Sequence, residues 1–339
     1  MKKIIYGGNK EVMKKVLMIS TGGTIAMSSG ESGQGVIIKS SGVDLVKNLN
    51  KFNYSFDLEI LDFASIPSSH MSLELLQRLS ELINIKIKSN DIDAIVVTHG
   101  TDSIEETAYF LELTTNSEKP IVLVGSLKNS SDLGYEGSSN LKDAFNVAID
   151  EKSKDKGVLV VMNGQIHSAY YVEKTHTTAI EGFSSLEFGP LGAVRNDKVV
   201  YHRNIVERQY YELLDIEKKV GIVKCAVGVS SDIIKFYLNN NYRGIVIEAF
   251  GAGNVSREMS IAIKEAIKKG VPVIVTSRCI NGSIEAIYGY EGGGVRLKEI
   301  GIISGNCLSS QKARIKLSIL LGSSYDLDSI REKFENYIS

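Results

Sequence analysis

The chain reads as an α/β protein of two domains: a larger N-terminal, doubly wound, mainly parallel sheet and a smaller C-terminal parallel α/β domain. Three observations predict this. Apolar strand-like runs alternate with helical patterns through most of the sequence, the signature of parallel βαβ units. With 339 residues and 43% hydrophobic content the chain can bury one large core or two ordinary ones, and its length favours two. A hydrophilic passage, from about Arg195 to Lys219, interrupts the alternation, which then restarts.

In chain order, the first strand is the apolar run Val16–Ser20, which ends in the glycine turn Thr21-Gly22-Gly23-Thr24. Further strands are expected at Leu58–Phe63, Ala94–Thr98, Ile121–Gly125 and Val158–Met162, with helices at Ser72–Lys88, Ser103–Thr114 and Ser139–Ile149 between them. The segment Met27–Ser41, rich in glycine and serine, is the least sheet-like part of this half and reads as a lid loop. Residues 1–195 form the first expected domain, 196–219 the linker and 220–339 the second domain. There the strands are Gly221–Ala226, Gly244–Glu248 and Val271–Thr276, separated by helices near Asp232–Leu238 and Val255–Lys269. Two amphipathic segments, near Ser310–Leu321 and Leu327–Tyr337, complete it as helices. The glycine run Glu291–Gly294 reads as a turn.

Composition excludes several function classes. Lys+Arg 39 against Asp+Glu 40 leaves a formal net charge of −1, so no global field points to nucleic acid or an anionic membrane, and a small neutral or zwitterionic ligand fits better. The three cysteines, Cys225, Cys279 and Cys307, are odd in number and far apart, which argues against a disulfide framework or a zinc set; they are expected to be buried small hydrophobes. The basic N-terminus has too short an apolar run for a signal peptide, and no segment offers the roughly 18 apolar residues of a membrane span. A soluble, cytoplasmic protein is expected.

The motifs narrow the chemistry further. Thr21-Gly-Gly-Thr24 lacks the G-x-G-x-x-G spacing, and no phosphate-binding G-x-x-x-x-G-K-[ST] occurs. The histidines, His70, His99, His167, His176 and His202, lack metal-ligand spacing, and no G-x-S-x-G elbow is present. Neither cofactor nor metal is therefore expected. What remains is two hydroxyl-rich turns at strand ends, Thr21–Thr24 and Thr98-His99-Gly100-Thr101-Asp102-Ser103, the place where open α/β sheets carry chemistry. A threonine hydroxyl is a weak nucleophile at neutral pH and needs a base within hydrogen-bond reach. Thr101 and Asp102 supply a hydroxyl beside a carboxylate, and Lys174 is a candidate amine to complete a relay. Spacing alone does not establish this assembly, since taken singly a strand-end threonine is more often a helix cap and a loop lysine more often solvated.

Two of these segments, Thr21-Gly-Gly-Thr-Ile-Ala26 and Thr98-His-Gly-Thr-Asp-Ser-Ile-Glu-Glu-Thr-Ala108, closely resemble the signature segments of the bacterial-type L-asparaginases, T-G-G-T-I-[AG] and H-G-T-D-T-[ML]. The resemblance continues through Ile121–Ser126, Gly157–Asn163, Thr175–Thr178, Phe188–Gly192 and Gln311–Arg314, and leaves only the first fifteen residues or so as an extra. It implies a cofactor-free hydrolase that converts asparagine to aspartate and ammonia and assembles as a dimer of dimers. Carried over position by position, Thr24 is the nucleophile, and Thr101, Asp102 and Lys174 form the second catalytic group. Ser68 holds the substrate α-carboxylate, Ser69 lines the same pocket, and Asp102 also meets the α-ammonium. Asn254 is donated to the site by an adjacent subunit, and either Glu285 or Glu291 is the acidic residue that reaches a neighbouring site. Backbone N–H groups of the Gly100–Thr101 turn suit a developing oxyanion. At Lys174, Asp102 favours the ammonium while burial favours the neutral amine, so the two pull in opposite directions.

The chain also departs from the family. Val36, or a neighbour, stands where the lid tyrosine is expected; His70 replaces a frequent aspartate; Lys128 and Glu136 stand for arginine and aspartate. Two alternatives are an amidase subunit of a transfer-RNA-dependent amidotransferase and a non-catalytic amino-acid-binding homologue. The first normally carries an additional N-terminal domain, which fifteen or so residues before the first strand do not supply.

Overall fold

The computed structural model describes residues 2–5, 13–30, 35–47, 56–205 and 208–336. They form two compact units, Met1–Tyr210 and Tyr211–Ser339.

The strands of the first unit, in chain order, are β1 (Lys2–Ile5), β2 (Lys14–Gly22), β3 (Met27–Ser29), β4 (Val36–Ile38), β5 (Phe56–Ile66), β6 (Ala94–Thr98), β7 (Ile121–Val124), β8 (Val158–Met162), β9 (Gln165–Ser168), β10 (Glu173–Lys174), β11 (Phe183–Ser184), β12 (Gly192–Arg195) and β13 (Lys198–Tyr201). Its helices are α1 (Gly42–Lys47), α2 (Leu73–Ile87), α3 (Ile104–Thr114) and α4 (Gly137–Ile149). Nine strands make one sheet in the order β1-β5-β2-β6-β7-β8-β9-β12-β13. The five central strands, β5 to β8, are parallel, and β1, β9, β12 and β13 add antiparallel margins.

Alternation along the strands divides the core. Val16 and Met18 point to one face, where they pack with Leu141, Ala144, Phe145 and Ala148 of α4. Leu17 and Ile19 point to the other, with Leu79, Ile83 and Ile87 of α2 and Ile104, Ala108 and Leu111 of α3. Both faces being covered, β6, β7 and β8 and the middle of β2 read as continuous apolar runs, while β5 alternates. Ser72 caps α2 by accepting a hydrogen bond from Leu75 N (3.3 Å). The chain goes from β2 outward to β5 and then returns to β6 on the other side of β2. The order therefore reverses between β2 and β6, and a crevice opens at their C-terminal ends.

The second unit holds β14 (Val220–Lys224), β15 (Gly244–Ala249), β16 (Val273–Ser277) and β17 (Ile303–Ser304), all parallel in that order, with α5 (Asp232–Asn239), α6 (Arg257–Lys268), α7 (Gly294–Ile300), α8 (Ser310–Gly322) and α9 (Leu327–Glu335).

Several expectations need correction. Met27–Ser41 is not a plain loop: β3 and β4 pair as an antiparallel hairpin, Ser29 opposite Val36, although residues 31–34, with Gln34 among them, lie outside the described residues. Short strands without clear alternation carry too weak a pattern to be read from sequence. Glu291–Gly294 is more than a turn, since it leads directly into α7. Residues 198–201, inside the stretch read as linker, are a strand of the first sheet. Of the cysteines only Cys225 is buried; Cys279 is exposed and Cys307 intermediate.

Candidate active site

The two reactive turns are the ends of β2 and β6, side by side at the point of reversal. Gly22 and Gly23 take positive φ (102° and 80°), which turns the chain sharply into a short 3-10 turn, Thr24–Ala26. Thr21 Oγ1 donates to Thr98 O (2.9 Å) and so ties the strand ends together. Gly23 lies against Gly100 so closely that a Cβ there would be 2.2 Å from Gly100 N. Thr24, half-buried, is thus delivered beside the Gly100–Thr101 turn.

That turn is pinned from three sides. His99 is fully buried; its Nδ1 donates to Gly100 O (2.8 Å) and its Nε2 accepts from Thr107 Oγ1 (3.0 Å) on α3. Burial lowers its pKa to about 4, against a smaller opposing effect of the Gly100 bond, so the ring is a neutral imidazole with one donor and one acceptor. Ser68 follows β5 and packs on Gly100, where a Cβ would come within 2.6 Å of Ser68 Oγ. Its Oγ accepts from Asp102 N (3.2 Å) and its carbonyl from Ser103 Oγ (2.7 Å). Ser69 is its exposed neighbour.

Lys174 arrives on β10, held opposite Phe183 of β11. Its Nζ donates to Thr101 Oγ1 (2.9 Å) and to Asp102 Oδ1 (2.7 Å), and its backbone N–H donates to Glu105 of α3. The Lys174 side chain is 14% exposed and that of Asp102 68%, so the amine bridges a buried hydroxyl (Thr101) and a solvent-facing carboxylate. Hydroxyl, amine and carboxylate thus stand in one hydrogen-bonded series, an arrangement chemically able to pass a proton, and Thr24 lies on the neighbouring turn.

The structure therefore gathers Thr101, Asp102, Lys174, Ser68 and Gly100, with Gly23 and Thr24 alongside. Asn254 belongs to the second unit, in a tight loop where Phe250 and Asn254 exchange backbone bonds (2.8 and 2.9 Å). Its Oδ1 is buried and accepts no hydrogen bond among the described residues. Glu291 is paired with Arg257 (2.7 Å), whereas Glu285 is tied by its backbone N–H to Ala252 O (3.0 Å), in the Asn254 loop. Val36 is an exposed hairpin residue. Sequence reasoning assigned no role to Thr21, Ser103 or Glu105, although all three lie in or beside the quoted motifs, because their partners are 77, 35 and 69 residues away. Among the described residues no group of three or more His, Cys, Asp and Glu could hold a metal ion, and no helix is long and apolar enough to cross a membrane.

Known proteins resemble the chain along most of its length. Residues 15–207 match the family described as "Asparaginase, N-terminal", and residues 219–334 match the "Glutaminase/Asparaginase C-terminal domain". The chain is 34% identical over 321 residues to an L-asparaginase of Bacillus licheniformis, covering 95% of this chain and 99% of that one. It is also 34% identical to a probable periplasmic L-asparaginase of Haemophilus influenzae, over 97% of this chain and 95% of that one. Among solved structures, the probable cytoplasmic L-asparaginase from Campylobacter jejuni superposes with a TM-score of 0.86 at 32% identity, over 96% of this chain and 100% of that one. With both halves matched in order, the chain belongs to the asparaginase family.

Proposed function

We propose that the protein hydrolyses L-asparagine to L-aspartate and ammonia through an acyl-enzyme on Thr24. The observation that carries this reading is the Thr101–Lys174–Asp102 series, bonded at 2.9 and 2.7 Å and set beside the Thr24 turn. Thr24 Oγ attacks the side-chain amide carbon as its proton passes to the relay. The tetrahedral adduct collapses when the leaving nitrogen takes a proton, and ammonia departs. Water, deprotonated by the same relay, then cleaves the ester and returns Thr24 to the hydroxyl form. Backbone N–H groups of the Gly100–Thr101 turn face the developing oxyanion. Ser68 receives the α-carboxylate and Ser69 lines the same pocket, while Asp102, exposed enough to meet a ligand, receives the α-ammonium. No cofactor enters this chemistry.

Asn254 completes the site from an adjacent subunit of a homotetramer. The matching position in the family motif Gly251-Ala-Gly-Asn254 supports this reading. Of the two glutamates, Glu285 is the better candidate to accompany it, being tethered to the same loop while Glu291 is held by Arg257. A cytoplasmic location is supported by the Campylobacter jejuni relative, which is described as cytoplasmic; fractionation with a periplasmic marker tests it, since a periplasmic relative also exists.

The deciding experiment is ammonia release from asparagine, from glutamine and from a buffer blank. Rapid release from asparagine and slower release from glutamine is the expected result. Release only in the presence of an aminoacylated transfer RNA would indicate an amidotransferase subunit, and asparagine binding without release a non-catalytic homologue.

A further inference from the structure

The segment between β7 and α4, Gly125–Glu136, is a braced frame. The Glu136 carboxylate accepts from Leu127 N and from Lys128 N (3.3 Å). Asp132 accepts from Asn129 N and Nδ2 (3.0 and 2.6 Å), and Lys128 Nζ donates to Leu133 O (2.9 Å). Three side chains of this frame grip the stretch that follows Thr24. Ser130 N and Oγ both donate to Met27 O (2.9 and 2.8 Å), and Ser131 Oγ accepts from Ser29 N (3.0 Å). Tyr135 Oη donates to Ile25 O (3.0 Å), the carbonyl of the residue directly after Thr24. The tyrosine has a fitted seat: it packs partly buried against the core face of α4, and its ring occupies the space of a missing Cβ at Gly137, which would lie 2.3 Å from Tyr135 Oη.

We propose that Tyr135 is a positioning residue for the nucleophile turn, holding Thr24 through the Ile25 carbonyl. The inference rests on the reading of Thr24 as nucleophile. It accounts for a site whose lid offers Val36 in place of a tyrosine: the aromatic hydroxyl that bears on the nucleophile comes from a rigid segment instead of a closing one. The other bonds of the turn leave this job open, since Ala26 N goes to Gly23 O and Met27 N to Thr24 O, so neither uses the Ile25 carbonyl. Burial and the neighbouring Glu136 carboxylate push the Tyr135 phenol up to about 12, so it stays a donor across the assay range.

The test is Tyr135→Phe, which keeps the ring in its seat and removes only the hydroxyl. Two readouts are taken on the full chain. Amide hydrogen exchange of a peptide spanning residues 24–29 should quicken several-fold, with exchange elsewhere unchanged. Asparagine turnover should fall about tenfold with KM within twofold, the pH profile keeping its shape because no titrating group is lost. Unchanged exchange in that peptide, turnover within twofold of the parent, or a loss confined to KM each overturns the proposal. The arms separate the two readings: a parent protein that releases no ammonia refutes the asparaginase assignment, while hydrogen exchange still decides whether Tyr135 holds the turn.

Discussion

At the residue scale the site depends on a few hydroxyls whose effects should not add. Thr24→Ala and Thr101→Ala should each lower turnover by several orders of magnitude, and the double variant should be little worse than either, because both serve one catalytic unit. Steady-state kinetics checks this, and mass spectrometry separates the roles: Thr101→Ala trapped with asparagine should carry an acyl group on Thr24, and Thr24→Ala should carry none. Near-normal hydrolysis by either single variant removes that residue from the mechanism. His99 supports a second expectation, this time about stability. Its folded pKa is lowered to about 4 from 6.5, so the unfolded chain binds the extra proton between those values. Stability from this residue is then complete above pH 6.5 and lost as the pH falls towards 4; at roughly 1.4 kcal/mol per unit the loss is about 3 kcal/mol. Denaturant titrations of the parent and of His99→Gln at pH 7 and pH 4.5 should show the parent losing more. Equal losses would mean that His99 is not the group responsible.

At the element scale the lid is where sequence and structure part most. The strands Val16–Ser20, Ala94–Thr98 and Val158–Met162 were legible because both of their faces are covered, which writes a continuous apolar run into the sequence. The hairpin β3/β4 is held instead by backbone pairing and by Ser130 and Ser131, more than a hundred positions away, and no local pattern records such bonds. β10 is legible only as a family motif: two residues long, it owes its place to Phe183 and Glu105. Thr24 and Thr101 stood out by lying at strand ends, whereas Tyr135 did not, because nothing in Gly134-Tyr135-Glu136 announces a partner at Ile25. For activity, the exposed side chain of Val36 should matter little. Val36→Ala should change turnover roughly tenfold or less, while Lys174→Met should nearly abolish it, since only the latter removes a group of the proton relay. Alanine substitutions from Gln34 to Ile38 cover the register. A position there as essential as Lys174 would show that the lid supplies a catalytic group and that Thr24 is activated differently.

At the scale of the whole molecule, Thr24, the proposed nucleophile, lies in one compact unit and Asn254 in the other. The two-unit organisation was legible from the restart of the strand–helix alternation, but the place of the boundary was not. The polar stretch after Arg195 contains β13, whose Lys198–Tyr201 alternates toward the first core with only Val199 fully buried, too little to stand out in a hydrophilic passage. If Asn254 acts in a neighbouring site, a lone subunit should be nearly inactive. Sedimentation coupled to activity across a dilution series should show turnover falling together with the tetramer, and full specific activity in a monomeric species would contradict it. Asn254→Ala should then weaken turnover without loosening the first unit, which differential protease sensitivity can verify.

The contact between Gly23 and Gly100 also bears on how the protein is made. These glycines sit at the ends of β2 and β6, strands paired in parallel with Ser20 opposite Thr98, and the chain between them carries β5 and α2, so the pairing is long-range. Such long-range parallel pairing is slow relative to local helix formation. With Gly23 and Gly100 too close to admit a Cβ, a partly docked β2 leaves Thr24 displaced from Thr101, and a collapsed, helix-rich intermediate has no competent centre. Ammonia release during refolding thus waits on the zippering of β2 onto β6 as well as on subunit assembly, and should lag behind the return of helical circular dichroism.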